Sequence, residues 1–210
     1  MLKVVVFDSG YGGELFADYL QENLPVIQII RVIDWRNASK IMSKPKDARK
    51  FAEAALTPYI GKVDLIIFAN HLLTITSLKY FKRKYRTQKF IGFDLKQPDN
   101  FIERDTLILT TRSVARTINY YNFLFRLKRN VKTLILDSWP IRIDNGELTN
   151  GEIVKVLRLF SAKEKIHPKN VILACAHFND FKAELCVCFG GNLRIYDSFN
   201  DTYRKACKAL

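Results

Sequence analysis

The sequence predicts an α/β fold made of two similar α/β halves with mainly parallel sheets around a central cleft. Three observations carry this. Short apolar runs take turns with helical patterns along nearly all of the 210 residues, the order that βα units produce. The runs, such as "VVVF" and "LIIFA", are continuously apolar, as strands covered on both faces are. Near the end, "LRIYDSFNDTYRKACKAL" repeats the strand, Asp-Ser, helix pattern of the first residues.

Taken in order, "KVVVFD" is a strand and "GELFADYLQENL" a helix with Leu15, Phe16, Tyr19 and Leu20 on one side. "VIQIIRVID" is the second strand, and "SKPKDARKFAEAALTPYI" a helix opened by Pro45 near its first turn. "VDLIIFAN" is the third strand and "LLTITSLKYFKRKY" the third helix. Strand returns in "KFIGFD" and "DTLILTT", helix in "ARTINYYNFLFRL", strand in "VKTLILDS", helix in "GEIVKVLRLFSAKEK" and strand in "NVILAC". "AELCVCF" alternates, which puts Cys186 and Cys188 on one face of a strand, and "LRIYDS" with "DTYRKACKAL" adds a last strand and helix. The halves meet near Gly92 to Gln97, so that residues 1–92 plus 186–210 form the first half and 93–185 the second.

Composition narrows the function classes. With 48% hydrophobic and 26% charged residues the chain is globular and can bury a sizeable core. No stretch approaches the roughly 18 apolar residues of a membrane span, and "MLKVVVFDSG" is too short and too soon acidic for a secretion signal. The four cysteines lie in the last 40 residues with no CxxC pair, which argues against a zinc site and for reduced thiols in the cytoplasm. The net charge of +13 is concentrated in "KYFKRKYRTQK", where Tyr80, Phe81 and Tyr85 interleave with six Lys or Arg. Such a cluster suits a solvated helix face, a surface that attracts small carboxylates, or nucleic-acid contact through Lys82, Arg83, Lys84 and Arg86.

The ends of parallel strands are where ligands gather in such sheets, and several reactive groups fall there. Asp8, Ser9, Gly10, Gly12 and Gly13 occupy the first strand-to-helix turn, where glycines allow tight backbone and exposed N–H groups attract anions. "DSGYGG" has neither a dinucleotide-binding spacing nor a phosphate-loop lysine. Asn70 and His71 end the third strand, Thr111 ends a strand of the second half, and Cys175 with His177 ends another. A nearby imidazole can lower a thiol from its ordinary pKa of about 8.5 and supply the thiolate.

These motifs together resemble the aspartate/glutamate racemase superfamily, and glutamate racemase most closely. "VVVFDSGYGG" is similar to the family's V-F-D-S-G-x-G-G, and "DLIIFANHLLT" stands where the family has a strand followed by A-C-N-T. "LILTTRSVARTINYY" resembles L-A-T-x-x-T-x-x-S-x-x-Y, and "VILACAHF" resembles L-G-C-T-H-Y-P. The resemblance implies two halves facing each other across the cleft, no cofactor, no metal, and two cysteines that deprotonate and reprotonate the α-carbon of an acidic amino acid from opposite faces, in amino-acid metabolism that serves cell wall biogenesis. By it, Asp8 assists the first cysteine, Ser9, Asn70 and Thr111 hold substrate, Cys175 is the second acid/base group with His177 as helper, and Asp144 falls near a family glutamate.

The chain departs from the pattern at the first cysteine. There it reads Phe68-Ala69-Asn70-His71, with Asn70 either replacing the cysteine or matching the asparagine after it. Ala176 and Val114 stand where threonines are expected, and the family's P-Y-G has no counterpart in "NASKIMSKP". Three readings follow: an isomerase using Cys175 with His71 or Asp8 as the opposing group, a one-cysteine decarboxylase or cis–trans isomerase, and a catalytically inactive homologue that binds nucleic acid or an acidic partner through its basic surface. The expected partners are a small acidic amino acid or carboxylate, nucleic acid through the basic patch and a second copy of the chain, without a membrane.

Overall fold

The computed structural model describes residues 1–44, 47–96, 101, 105–127 and 130–210. Pro45 and Gln97, named above as a helix opener and a half boundary, lie outside the described residues. The chain divides into two units, Met1–Asp94 with Ser198–Leu210, and Leu95–Asp197.

The first unit holds β1 (Leu2–Asp8), α1 (Tyr11–Asn23), β2 (Ile27–Ile33), α2 (Ala38–Ser43), α3 (Ala48–Leu56), β3 (Leu65–Phe68), α4 (His71–Leu73), α5 (Lys79–Lys84) and β4 (Phe90–Gly92). The second holds β5 (Thr106–Thr110), α6 (Arg112–Ala115), α7 (Ile118–Leu127), β6 (Val131–Ile135), α8 (Trp139–Asp144), α9 (Asn150–Glu164), β7 (Asn170–Leu173), α10 (Lys182–Phe189) and β8 (Arg194–Tyr196). The final helix, α11 (Ser198–Ala209), belongs to the first unit.

Each unit is one four-stranded parallel sheet, ordered β2-β1-β3-β4 in the first and β6-β5-β7-β8 in the second. The same order is built twice. The inner strands are the continuous apolar runs: all of β3 and β7 is buried, as is β1 from Val4 onward. Removing such side chains from water supplies the main drive for sheet formation, about 1.5 to 3 kcal/mol for each fully buried large aliphatic or aromatic side chain. Register then fixes the site. Phe7 lies beside Phe68 and Leu109 beside Leu173, so the residues after β1 and β3 share one sheet edge, and those after β5 and β7 share the corresponding one.

The two cores differ in kind. The first is aromatic, with Phe7 edge-on to Phe68 at 5.6 Å and Phe16 edge-on to Phe93 at 5.0 Å. Phe199 of α11 packs on Phe16 at 5.1 Å, which seats the returning helix. The second core is mainly aliphatic, with Leu107, Leu109, Leu157, Val171, Leu173 and Leu185 around Phe178, Phe181 and Trp139.

Two expectations are corrected. Cys186 and Cys188 sit on helix α10, not on a strand. Residues 186–197 stay in the second unit, and the first takes back only Ser198–Leu210. One reason covers both: β8 pairs parallel with β7, and parallel neighbours require a crossover, here supplied by α10. The single helix expected over "LLTITSLKYFKRKY" is also interrupted, because Thr74–Leu78 is π-helical between α4 and α5. No helix among the described residues is long and apolar enough to cross a membrane.

Candidate active site

In the first unit the edge shared by β1 and β3 joins Asp8 to Asn70, 62 residues apart in sequence. Asn70 Nδ2 donates to Asp8 Oδ1 at 2.7 Å, and the Ser9 backbone N–H donates to the same oxygen at 2.5 Å. The other end of the Asn70 amide is also used, since its Oδ1 accepts from Leu73 N at 3.0 Å and caps α4. Asp8 is fully buried and Ser9 is buried beside it. Charged buried carboxylates need such donors. Close approach of α1 depends on Gly13, where a Cβ would stand 2.3 Å from Asp8 Cβ and 2.9 Å from Ile33 Cδ1.

His71 turns inward. It is 4% exposed, its Nε2 lies 2.8 Å from Ser198 Oγ, and its ring meets the Phe93 ring at 5.5 Å. These contacts tie the start of α11 to the loop after β3. Lys205 continues the tie further along α11 by pairing with Asp94 at 3.0 Å.

In the second unit the chain leaves β7 through Ala174 and Cys175 and enters a short 3-10 helix, Ala176–Phe181. That tight turn brings His177 back over the thiol: Cys175 Sγ and His177 Nδ1 are 3.6 Å apart. The opposite ring nitrogen, Nε2, is 3.0 Å from Asp144 Oδ1 at the end of α8. Asp144, Ala176 and His177 thus belong to one cluster with Cys175, which is itself only partly buried. The carboxylate is placed to stabilise a protonated ring, and Nδ1 is the ring nitrogen that faces the thiol.

Sequence reading missed Asp180, three residues after His177 on the same turn. Burial pushes its carboxyl pKa up, His177 opposes that and Asp144 reinforces it. Helical spacing from His177 was the available signal. Ser198, the serine of the repeated Asp-Ser pattern, is the hydroxyl partner of His71. Thr111 lies at the end of β5 and exchanges a hydrogen bond with Ser113, Oγ to Oγ, at 2.9 Å.

Asn70 and Cys175 are counterparts in the two sheets. Each follows its strand after a buried alanine whose N–H continues the ladder, Ala69 to Phe7 O at 2.8 Å and Ala174 to Leu109 O at 2.9 Å. Each sits at the N-cap of a helical turn, with φ, ψ of −144°, 128° for Asn70 and −151°, 134° for Cys175. The backbone thus matches Asn70 to Cys175 position for position. Among the described residues no group of three or more His, Cys, Asp or Glu side chains is arranged to hold a metal ion.

No protein-family model matches the chain. A glutamate racemase of Campylobacter curvus is similar, 22% identical over an alignment that takes in 100% of this chain and 83% of the relative. Among solved structures, glutamate racemase of Escherichia coli, in complex with L-glutamate and the activator UDP-MurNAc-Ala, superposes with a TM-score of 0.84 at 19% identity over 99% of this chain and 82% of that one. An aspartate racemase of Picrophilus torridus superposes with a TM-score of 0.59 at 15% identity over 99% of this chain and 93% of that one. By its paired four-stranded sheets and its whole-length likeness to a glutamate racemase, the chain carries the fold of the aspartate/glutamate racemase superfamily.

Proposed function

We propose that this protein is a glutamate racemase-like isomerase that moves a proton at the α-carbon of a small acidic amino acid without a cofactor, with Cys175 as an acid/base group. The line Asp144, His177, Cys175 carries the reading: the imidazole lies 3.0 Å from the carboxylate and 3.6 Å from the thiol. In this mechanism His177 Nδ1 takes the thiol proton, Asp144 stabilises the resulting imidazolium, and the thiolate removes the α-proton. The similar Escherichia coli enzyme holds L-glutamate, which supports an acidic amino acid as substrate. The second acid/base role falls to Asp8 or His71, because Asn70 has no proton of useful acidity. All four cysteines are free thiols, which suits action in the cytoplasm.

The test is α-hydrogen exchange. Glutamate and aspartate incubated with the protein in deuterated buffer gain deuterium at the α-carbon, and Cys175→Ser abolishes the gain. Absence of exchange for every acidic amino acid tried overturns the reading.

Asn70 in the place of a thiol favours a second reading, a one-thiol enzyme that protonates a carbanion made by other means, such as loss of carbon dioxide. Cys175-dependent turnover of malonates or maleate, without exchange on amino acids, would select it. A homologue that only binds its partners would show neither.

A further inference from the structure

The basic cluster of the first unit does not form a flat face; most of it lines a concavity. Arg49 on α3 and Lys79, Arg83, Lys84 and Arg86 on and just beyond α5 surround a space of about 650 Å³, a size ordinary for a small-ligand site. Its wall includes the π-helical residues Ile75 and Thr76. Single π-helical turns inside helices are rare and recur at functional sites. Here the irregular turn presents the Thr76 carbonyl to Arg49, which donates to it at 3.4 Å while lying 4.6 Å from the centre of the Tyr80 ring.

Charge at this place is unbalanced. The nearby carboxylate, Glu53, is consumed by Lys84 and by the hydroxyls of Tyr85 at 2.7 Å and Tyr80 at 3.2 Å. Those contacts hold its pKa low, so it stays ionised. Among the described residues Lys79, Arg83 and Arg86 pair with no carboxylate. Lys79 and Arg83 are moreover spaced i,i+4 along the helix, where like charges repel. These three unpaired cations around one space repel one another, a repulsion that an anion of high charge density would relieve.

We propose that this concavity binds a compact polyphosphate, either inorganic or the di- or triphosphate tail of a nucleotide. Arginine forks match phosphate oxygens in pairs. A nucleic-acid strand fits less well, because Lys82 does not line the space and Arg49 covers a face of Tyr80 on which a base would stack. The site shares no residue with the Cys175 cluster, so it stands whether or not the racemase reading does.

Calorimetric titration of the full chain with inorganic tripolyphosphate at low salt tests it. Saturable binding is expected, weakening as salt rises, and at least about tenfold weaker in the double variant Lys79→Ala, Arg83→Ala, which removes two charge-assisted contacts. Lys62→Ala, an exposed lysine elsewhere on the same unit, should leave it unchanged. Arg86→Gln provides a second variant should the double one unfold, as judged by circular dichroism. ATP binding no tighter than tripolyphosphate points to the phosphate chain alone, and tighter binding to a nucleotide. No binding of either, equal loss in Lys62→Ala, or capture of single-stranded RNA that tripolyphosphate does not displace overturns the proposal.

Discussion

The loop after β3 and the loop after β7 are built on one backbone plan and carry different side chains. Both leave the inner strand through an alanine, both place the next side chain at a helix N-cap in extended conformation, and both belong to sheets of the same strand order. After β7 that side chain is a thiol backed by an imidazole and a carboxylate. After β3 it is an amide whose two ends are spent on Asp8 and on the α4 cap, and the neighbouring imidazole is turned onto Ser198. A strand end therefore supplies a position, while the side chain and its partners decide whether the position is reactive or structural.

The sharpest way to break this comparison is to remove each side chain in turn. Cys175→Ala should lower α-hydrogen exchange by about 100-fold or more, the usual contribution of a positioned acid/base group, with little change in thermal stability because the thiol is partly exposed. Gly13→Ala should act on the fold instead, since the new methyl would meet Asp8 and Ile33. A loss of about 1 to 3 kcal/mol in chemical denaturation is expected for such overpacking, and an unchanged midpoint would show that α1 can shift away from Asp8. Asn70→Ala removes the α4 cap and a donor to a buried carboxylate, so a loss of about 1 to 2 kcal/mol is expected. Exchange without any stability change in that variant would mean that Asn70 is not the structural partner of the pair.

Two smaller effects sharpen the β7 side. Asp144→Asn should slow the alkylation of Cys175 by iodoacetamide, followed on its own peptide by mass spectrometry, because the imidazole beside the thiol loses its carboxylate. Asp180 gives the smallest effect, and its sign is set by burial. Its folded pKa lies above the unfolded value, so the folded state binds more protons in the weakly acidic window between them and stability falls as pH rises through it. Asp180→Asn should flatten that slope and leave the protein more stable above the window, as read from thermal midpoints across a pH series.

The sequence made the strand ends legible because "VVVFD", "LIIFA" and "VILAC" are buried by local composition alone, and a continuous apolar run has few other places to go. Cys175 with His177 was visible for the same reason, two residues apart at the end of such a run. "AELCVCF" misled because a run of seven residues fits either period, and the choice was made by the need to cross over between β7 and β8.

By itself, then, the sequence determined the βα order, the parallel sheets and the place of the thiol, all of which follow from local patterns of apolar and turn residues. Tertiary structure alone decided that Asn70 is the counterpart of Cys175, that Asp144 backs His177, that Ser198 closes on His71 across 127 residues, and that five scattered cations share one concavity with a π-helical turn. Those depend on register and on contacts between distant segments, which are set by how whole elements pack and leave no periodic trace in the chain.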